Sequence, residues 1–248
     1  MSVVVFAGVF GGSLLGLFVS PKLPIHHQSQ ESKDIVRLGM GLVATTVAVV
    51  LGLLVSSAKS FYDTQGNEMT QLAADYVMLD RVLAYYGPEA AEARAALRNV
   101  LAGLLESREA SPITTKSLST IKSGAIVGNS LVGRLMALSP QNDNQRSFKG
   151  EAISVALQLG HTRWLMFEQN TVPVPRLLLG MLIAWLILLF LSFAIFAPRN
   201  LMVVAGLFMA AFAVSGAILL ILEMYHPQGG LIRLSEAPLR AALAQLGQ

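Results

Sequence analysis

The chain reads as an all-α integral membrane protein with four membrane-crossing helices and a helical water-side domain between the second and third. Three observations predict this. Charged residues make up 13% of the 248 residues and apolar ones 54%, whereas soluble domains are about a quarter charged. Four apolar runs, at about 2–20, 36–58, 177–196 and 201–222, uncharged apart from Arg37 at the start of the second, are each long enough to cross a bilayer. Between the second and third runs the chain turns to amphipathic, charge-bearing helix formers. The organisation expected is therefore 1–58 (two spans), 59–175 (helical domain), 176–224 (two spans) and 225–248 (tail). The net charge of +3 is small, and no basic cluster interleaves with aromatics, which argues against nucleic acid as a partner. Cysteine is absent, which removes disulfides and thiolate chemistry.

The first run, residues 2–20, has no preceding positive charge and no small-residue cleavage site, so it reads as a retained helix ended by Pro21. Its Gly8, Gly11, Gly12 and Gly16 have the spacing of a close-packing seam. A short loop carrying His26 and His27 leads to the second span. There, steps of three or four from Arg37 reach Gly41, Thr45, Ala48, Gly52, Ser56, Lys59 and Asp63, one helical face of small, hydroxyl or charged residues. Met40, Val43, Val47, Val50, Leu51 and Leu54 occupy the opposite side. Such a stripe either packs against other helices or lines water, and cations at both ends favour water. On that reading the Thr45 and Ser56 hydroxyls replace part of an anion's hydration.

Beyond Lys59, Met69, Leu72, Tyr76, Leu79, Leu83 and Tyr86 form a seam of period 3.5, which extends the helix as a stalk that Gly66 bends or breaks. The seam needs a partner other than water, and with the stripe it points to a homo-oligomer. Gly87-Pro88 ends the helix. Helices follow at 89–108, 116–138 and 146–169, separated by a loop at 108–115 and a turn at 139–145. The proline-bearing connector 171–175 returns to the membrane. The third and fourth spans form an antiparallel hairpin through 197–200, and the tail has a Gly229-Gly230 turn and a short amphipathic helix after Ser235. Four spans put both termini on the side of the helical domain. Flanking charge leaves orientation near a tie: Lys59, Arg176, Arg233 and Arg240 on that side face Lys22, Lys33, Arg37 and Arg199 on the other.

The segments LPIHH at 23–27, VLGLLVSSAKSFYD at 50–63, LDRVLAYYGPEAAEAR at 79–94 and LEMYHPQGGLIRLSEAPLRAAL in the tail together resemble the bacterial bestrophin-like family. That family is distantly similar to the bestrophin anion channels. The resemblance covers nearly the whole chain. It implies a pentamer in the bacterial inner membrane, a pore lined by the second helix, and a cytoplasmic helical domain with both termini cytoplasmic. The partners implied are other copies of the chain, membrane lipid and permeant anions, and no cofactor is implied. The stripe lacks the aromatic run of the animal channels' neck, and the acidic calcium clasp has no counterpart here.

Two polar groups outside the stripe have alternative readings. His26 and His27 form a pH-sensitive ring at the pore mouth of an oligomer, or they are loop imidazoles bonded to Glu31 or Asp34. Glu223 pairs with Arg176 or Arg233, or it acts as a sensing carboxylate. The adjacent Asp80-Arg81 reads as a solvated or intersubunit ion pair, and Trp185 as packing or facing lipid. No phosphate-cradling loop, nucleophile elbow or HExxH is present, so no enzyme is expected. The alternative to a channel is a non-conducting membrane scaffold or sensor whose helical domain binds a partner.

Overall fold

The computed structural model describes residues 2–20, 30–109, 131–169, 176–225 and 232–247. His26 and His27, the loop at 108–115 beyond residue 109, the first part of the helix expected over 116–138, the connector 171–175 and the Gly229-Gly230 turn lie outside the described residues. The elements are α1 (Ser2–Val19), α2 (Gln30–Tyr86), a 3-10 turn (Pro88–Ala90) and α3 (Ala91–Glu109), then α4 (131–137) and α5 (Asp143–Gln169). They are followed by α6 (Arg176–Ile195), α7 (Leu201–Met224) and α8 (Ala237–Gln245). α1, α2, α6 and α7 are long and apolar enough to cross a membrane.

The chain divides into two compact units. Unit 1 holds residues 1–61 and 173–225, and unit 2 holds 62–172 and 226–248. α2 passes from one to the other as a single helix of 57 residues. At 1.5 Å per residue it is about 85 Å long, nearly three times the ~30 Å of a hydrocarbon core. Gly66 does not interrupt it. A Cβ there would make ordinary contact with Leu234, at 3.6 Å. The helix stops at Gly87, whose φ of +123° is open to glycine and strained for any residue with a Cβ. Gln145 Nε2 donates to the freed carbonyl of Tyr86.

In unit 1, α1 packs on α6 and α7. Gly8, Gly12 and Gly16 are the seam. A Cβ at Gly16 would come within 2.6 Å of the Leu191 carbonyl oxygen and 2.8 Å of the Ala194 Cβ, and one at Gly12 within 3.1 Å of Ile187. Gly11 points into open space and takes no part. Phe6 and Phe10 meet Phe208 of α7 edge to face. Arg199, in the α6–α7 turn, donates to the carbonyls of Leu17 and Phe18, which satisfies the end of α1. Asn200 caps α7 by accepting from the Val203 amide at 2.8 Å. At the other end of the hairpin, the Tyr225 hydroxyl bonds Ser57 of α2 at 3.1 Å, and its ring packs on Phe61. Trp185 is half-buried against the core of this unit.

Unit 2 is built on the far half of α2. The seam residues Met69, Leu72, Tyr76, Leu79, Leu83 and Tyr86 are all buried, against α3, α4, α5 and α8. This corrects the sequence expectation. The 3.5 period is satisfied within the chain, so the seam is no argument for assembly. Each fully buried leucine contributes about 1.5–3 kcal/mol of transfer free energy. α5 starts at Asp143, where Asn142 Oδ1 accepts from the Gln145 amide. Lys149 Nζ donates to the carbonyls of Met136 and Leu138 and so closes the end of α4.

Candidate functional site

Within unit 1, the face of α2 singled out by its residue types lies on the uncovered side of the helix, which also exposes Leu38, Leu42, Val49 and Leu53. Arg37, Gly41, Thr45, Ala48, Gly52, Ser56 and Lys59 are all exposed, while Val47, Leu54 and Ala58 on the other side are buried. Only 11% of the most apolar stretch of α2 is buried, against 33% for α1, 39% for α6 and 22% for α7. The glycines divide the same way. A Cβ added at Gly41 or Gly52 would meet nothing within 4 Å. A glycine inside a helix costs about 1 kcal/mol relative to alanine, and at Gly16 the close approach of α6 explains it. At Gly41 and Gly52 nothing in the chain does.

The polar groups of the stripe are not all available. Thr45 Oγ1 donates to the Leu42 carbonyl at 2.8 Å, and Thr46 shares that acceptor at 3.0 Å. The Thr45 hydroxyl proton is thus engaged by the helix backbone. Arg37 lies 3.6 Å from Asp34, one turn earlier, so its charge is partly offset. Lys59 stands exposed at the other end of the stripe. Glu223 is half-buried in the last turn of α7, and Arg233 is exposed in the segment before α8. Arg176 opens α6, with its side chain outside the described residues. Among the described residues, no group of three histidine, aspartate or glutamate side chains could hold a metal.

Unit 2 contains a buried polar contact that sequence reasoning missed. Asp80 pairs with Arg94 of α3, not with its neighbour Arg81 or another subunit. Both carboxylate oxygens accept from the guanidinium at 2.8 Å, and the Gly247 amide donates to Oδ2 at 3.2 Å. Burial pushes the Asp80 carboxyl up, but the Arg94 and Gly247 hydrogen bonds and the Arg94 charge outweigh it, holding the group below the ordinary carboxylate range. The hydrogen bond to Asp80 in turn raises Arg94. The signal was present in the sequence: Asp80 falls between Tyr76 and Leu83 at core register, where a charge needs a partner. Asp75 is similarly buried, its Oδ1 accepting from Gln71 at 2.8 Å and Gln158 at 3.4 Å.

A family profile, the Bestrophin-like domain, matches residues 7–239. The chain belongs to the Bestrophin-like family. Crystal structures of mutants of a bacterial bestrophin homolog from Klebsiella pneumoniae share its fold. One has a TM-score of 0.69 at 18% identity, covering 97% of this chain and 99% of that one. Another has a TM-score of 0.68 at 15% identity, covering 100% and 99%. A further crystal structure, of a membrane protein mutant, gives 0.67 at 17% identity with 97% and 99% covered. Among curated proteins, no sequence matches the chain. The bestrophin-like chain therefore spans the full length of its structural neighbours, and the resemblance read from its motifs stands. The all-helical fold with several apolar helices is shared with them.

Proposed function

We propose that this bestrophin-like protein is one subunit of a homo-oligomeric, anion-preferring channel in the bacterial inner membrane, with the path along the Arg37–Lys59 face of α2. The observation that carries the reading is that this row of small and hydroxyl residues, closed by cations, lies on the exposed side of α2. Lipid is a poor neighbour for a row of glycine, threonine, alanine and serine closed by cations. Water or another copy of the same helix is a better one. Several copies round an axis converge these faces, and a ring of Lys59 then concentrates anions in a narrow, poorly solvated passage. Five copies and cytoplasmic placement of unit 2 follow from the family resemblance, and in such an assembly His26 and His27 would form a ring at the pore mouth. On this reading Glu223 pairs with Arg176 or Arg233, or acts as a sensing carboxylate. The test is ion flux from proteoliposomes holding the purified chain, together with reversal potentials in a salt gradient. Anion-selective current supports the reading. A well-incorporated oligomer that passes no ion leaves the scaffold reading in its place.

A further inference from the structure

We propose that Tyr225 is a brace that fixes the rotation of α2 about its own axis at the Lys59 end of the stripe, and so decides which residues face the path. The observation behind it is a contact between residues 168 apart in sequence. The Tyr225 hydroxyl lies 3.1 Å from the Ser57 hydroxyl. Its ring packs on Phe61, with centroids 5.4 Å apart and planes tilted by 32°. Ser57 and Phe61 are neighbours one turn apart on α2, so a single side chain holds two successive rungs of one helical edge. All three residues belong to unit 1.

Tyr225 is anchored well enough to act in this way. It follows directly on the last residue of α7 with helical dihedrals, and its amide donates to the Ile221 carbonyl at 3.2 Å. The side chain therefore leaves a fixed helix end, and with two side-chain torsions a tyrosine loses little freedom when it is held. α2 is the helix that needs holding. Only 11% of its most apolar stretch is buried, so few neighbours resist its turning. Val47, Leu54 and Ala58, its buried residues, make apolar contacts that carry no preferred direction. A bond between two hydroxyls does, because it weakens steeply as its geometry changes. At 100° per residue, Ser57 and Phe61 lie roughly 40° apart and each roughly 160° from Lys59. Tyr225 thus grips α2 on the side opposite its cation. Any turn that carries Lys59 and Ser56 off the path pulls Ser57 from the Tyr225 hydroxyl and slides Phe61 from the ring. Tyrosine at the end of a span is also a residue type that anchors helices at the headgroups, but here its hydroxyl meets α2. The inference rests on the channel reading and adds to it the residue that orients the wall of the path.

The test uses the full chain, which has no cysteine of its own. Tyr225→Phe keeps the ring on Phe61 and removes the hydroxyl, and Ser57→Ala removes the other partner. Each variant, and the two together, is measured for ion flux in proteoliposomes and for the rate at which a water-soluble thiol reagent labels a Ser56→Cys reporter. A hydrogen bond of ordinary net strength shifts a balance between two rotations about two- to tenfold. Each single variant is expected to change flux and labelling by that order. The double variant is expected to match the singles, because all of them remove the same bond. A lower melting temperature with flux and labelling unchanged makes Tyr225 a packing residue or a headgroup anchor and overturns the brace. Additive effects of the two variants show that the hydroxyls act separately, and overturn it as well. A wild-type chain that conducts, with variants that conduct and label as it does, removes the brace and leaves the channel reading standing. A wild-type chain that passes no ion, with labelling of the Ser56→Cys reporter still changed by both variants, removes the channel reading and leaves the brace on α2.

Discussion

Asp80 is the most consequential side chain in unit 2. It ties α2 to α3 through Arg94 and to the residues after α8 through the Gly247 amide. Removing one partner of a fully buried pair costs about 3–5 kcal/mol, and the loss here is smaller because Arg94 keeps 24% of its side chain exposed to water. Asp80→Ala is therefore expected to lower the melting temperature of unit 2. Amide exchange on α3 and α8 should rise with it. The pH dependence has a definite sign. The carboxyl is held below its unfolded value, so its contribution is present above that value, near 3.9. It is lost as pH falls through the folded value below it. Asp80→Asn should flatten the acid limb of stability and leave the neutral-to-alkaline limb in place. An unchanged acid limb in a folded Asp80→Asn protein would show that other carboxylates carry the transition. Charge reversal at the stripe belongs to the same scale. Lys59→Glu should move selectivity towards cations, and Arg37→Glu should do so less, since Asp34 already offsets Arg37. Equal reversal potentials in both variants and the wild type, at normal conductance, would move the path off this face.

At the scale of the helix, the glycines of α1 and α2 look alike in sequence and differ in structure. Gly16 lets α1 approach α6 so closely that a β-carbon has no room, with backbone on one side and Ala194 on the other. Gly16→Val should cost about 1–3 kcal/mol through overpacking, read as a lower melting temperature of the solubilised chain. Gly52 has open space around it within the chain. Gly52→Leu should leave that melting temperature unchanged or slightly raised, because leucine is the better helix former. Ion flux should fall steeply. The reverse pattern, with Gly52→Leu unfolding the subunit and Gly16→Val closing the path, would exchange the roles of the two helices. The seam from Met69 to Tyr86 teaches the same lesson. Its period announces a helix packed on helices, and periodicity does not say whose helices they are.

For the whole molecule, orientation in the membrane is the open geometric question, because flanking charges nearly balance. Arg199 illustrates why counting them misleads. Its guanidinium is engaged by the carbonyls of α1 and serves the helix end. The proposed orientation has unit 2 in the cytoplasm. Cysteines introduced at Gln30 and at the exposed Asn99 should then label from opposite sides, position 30 from outside intact cells and position 99 only after permeabilisation. Labelling of position 99 in intact cells would invert the protein and place Lys59 at the outer end of the stripe.

Apolar run length, the turn residues and the type of each helix were legible in the chain alone. Each is set by local chemistry: apolar stretches of span length, Gly87-Pro88 as a stop, Ala197 to Asn200 as a turn. The small-residue face of α2 was legible too, since glycine, threonine and serine at steps of three and four differ visibly from the valines and leucines opposite. Partners were not. Whether Asp80 meets Arg81 or Arg94, whether the 3.5-period seam faces α5 or another copy, and which of four glycines in α1 touches α6 depend on contacts far apart in sequence. Only the fold brings those residues together, because a helix period specifies a direction and leaves the neighbour to the packing of the rest of the chain.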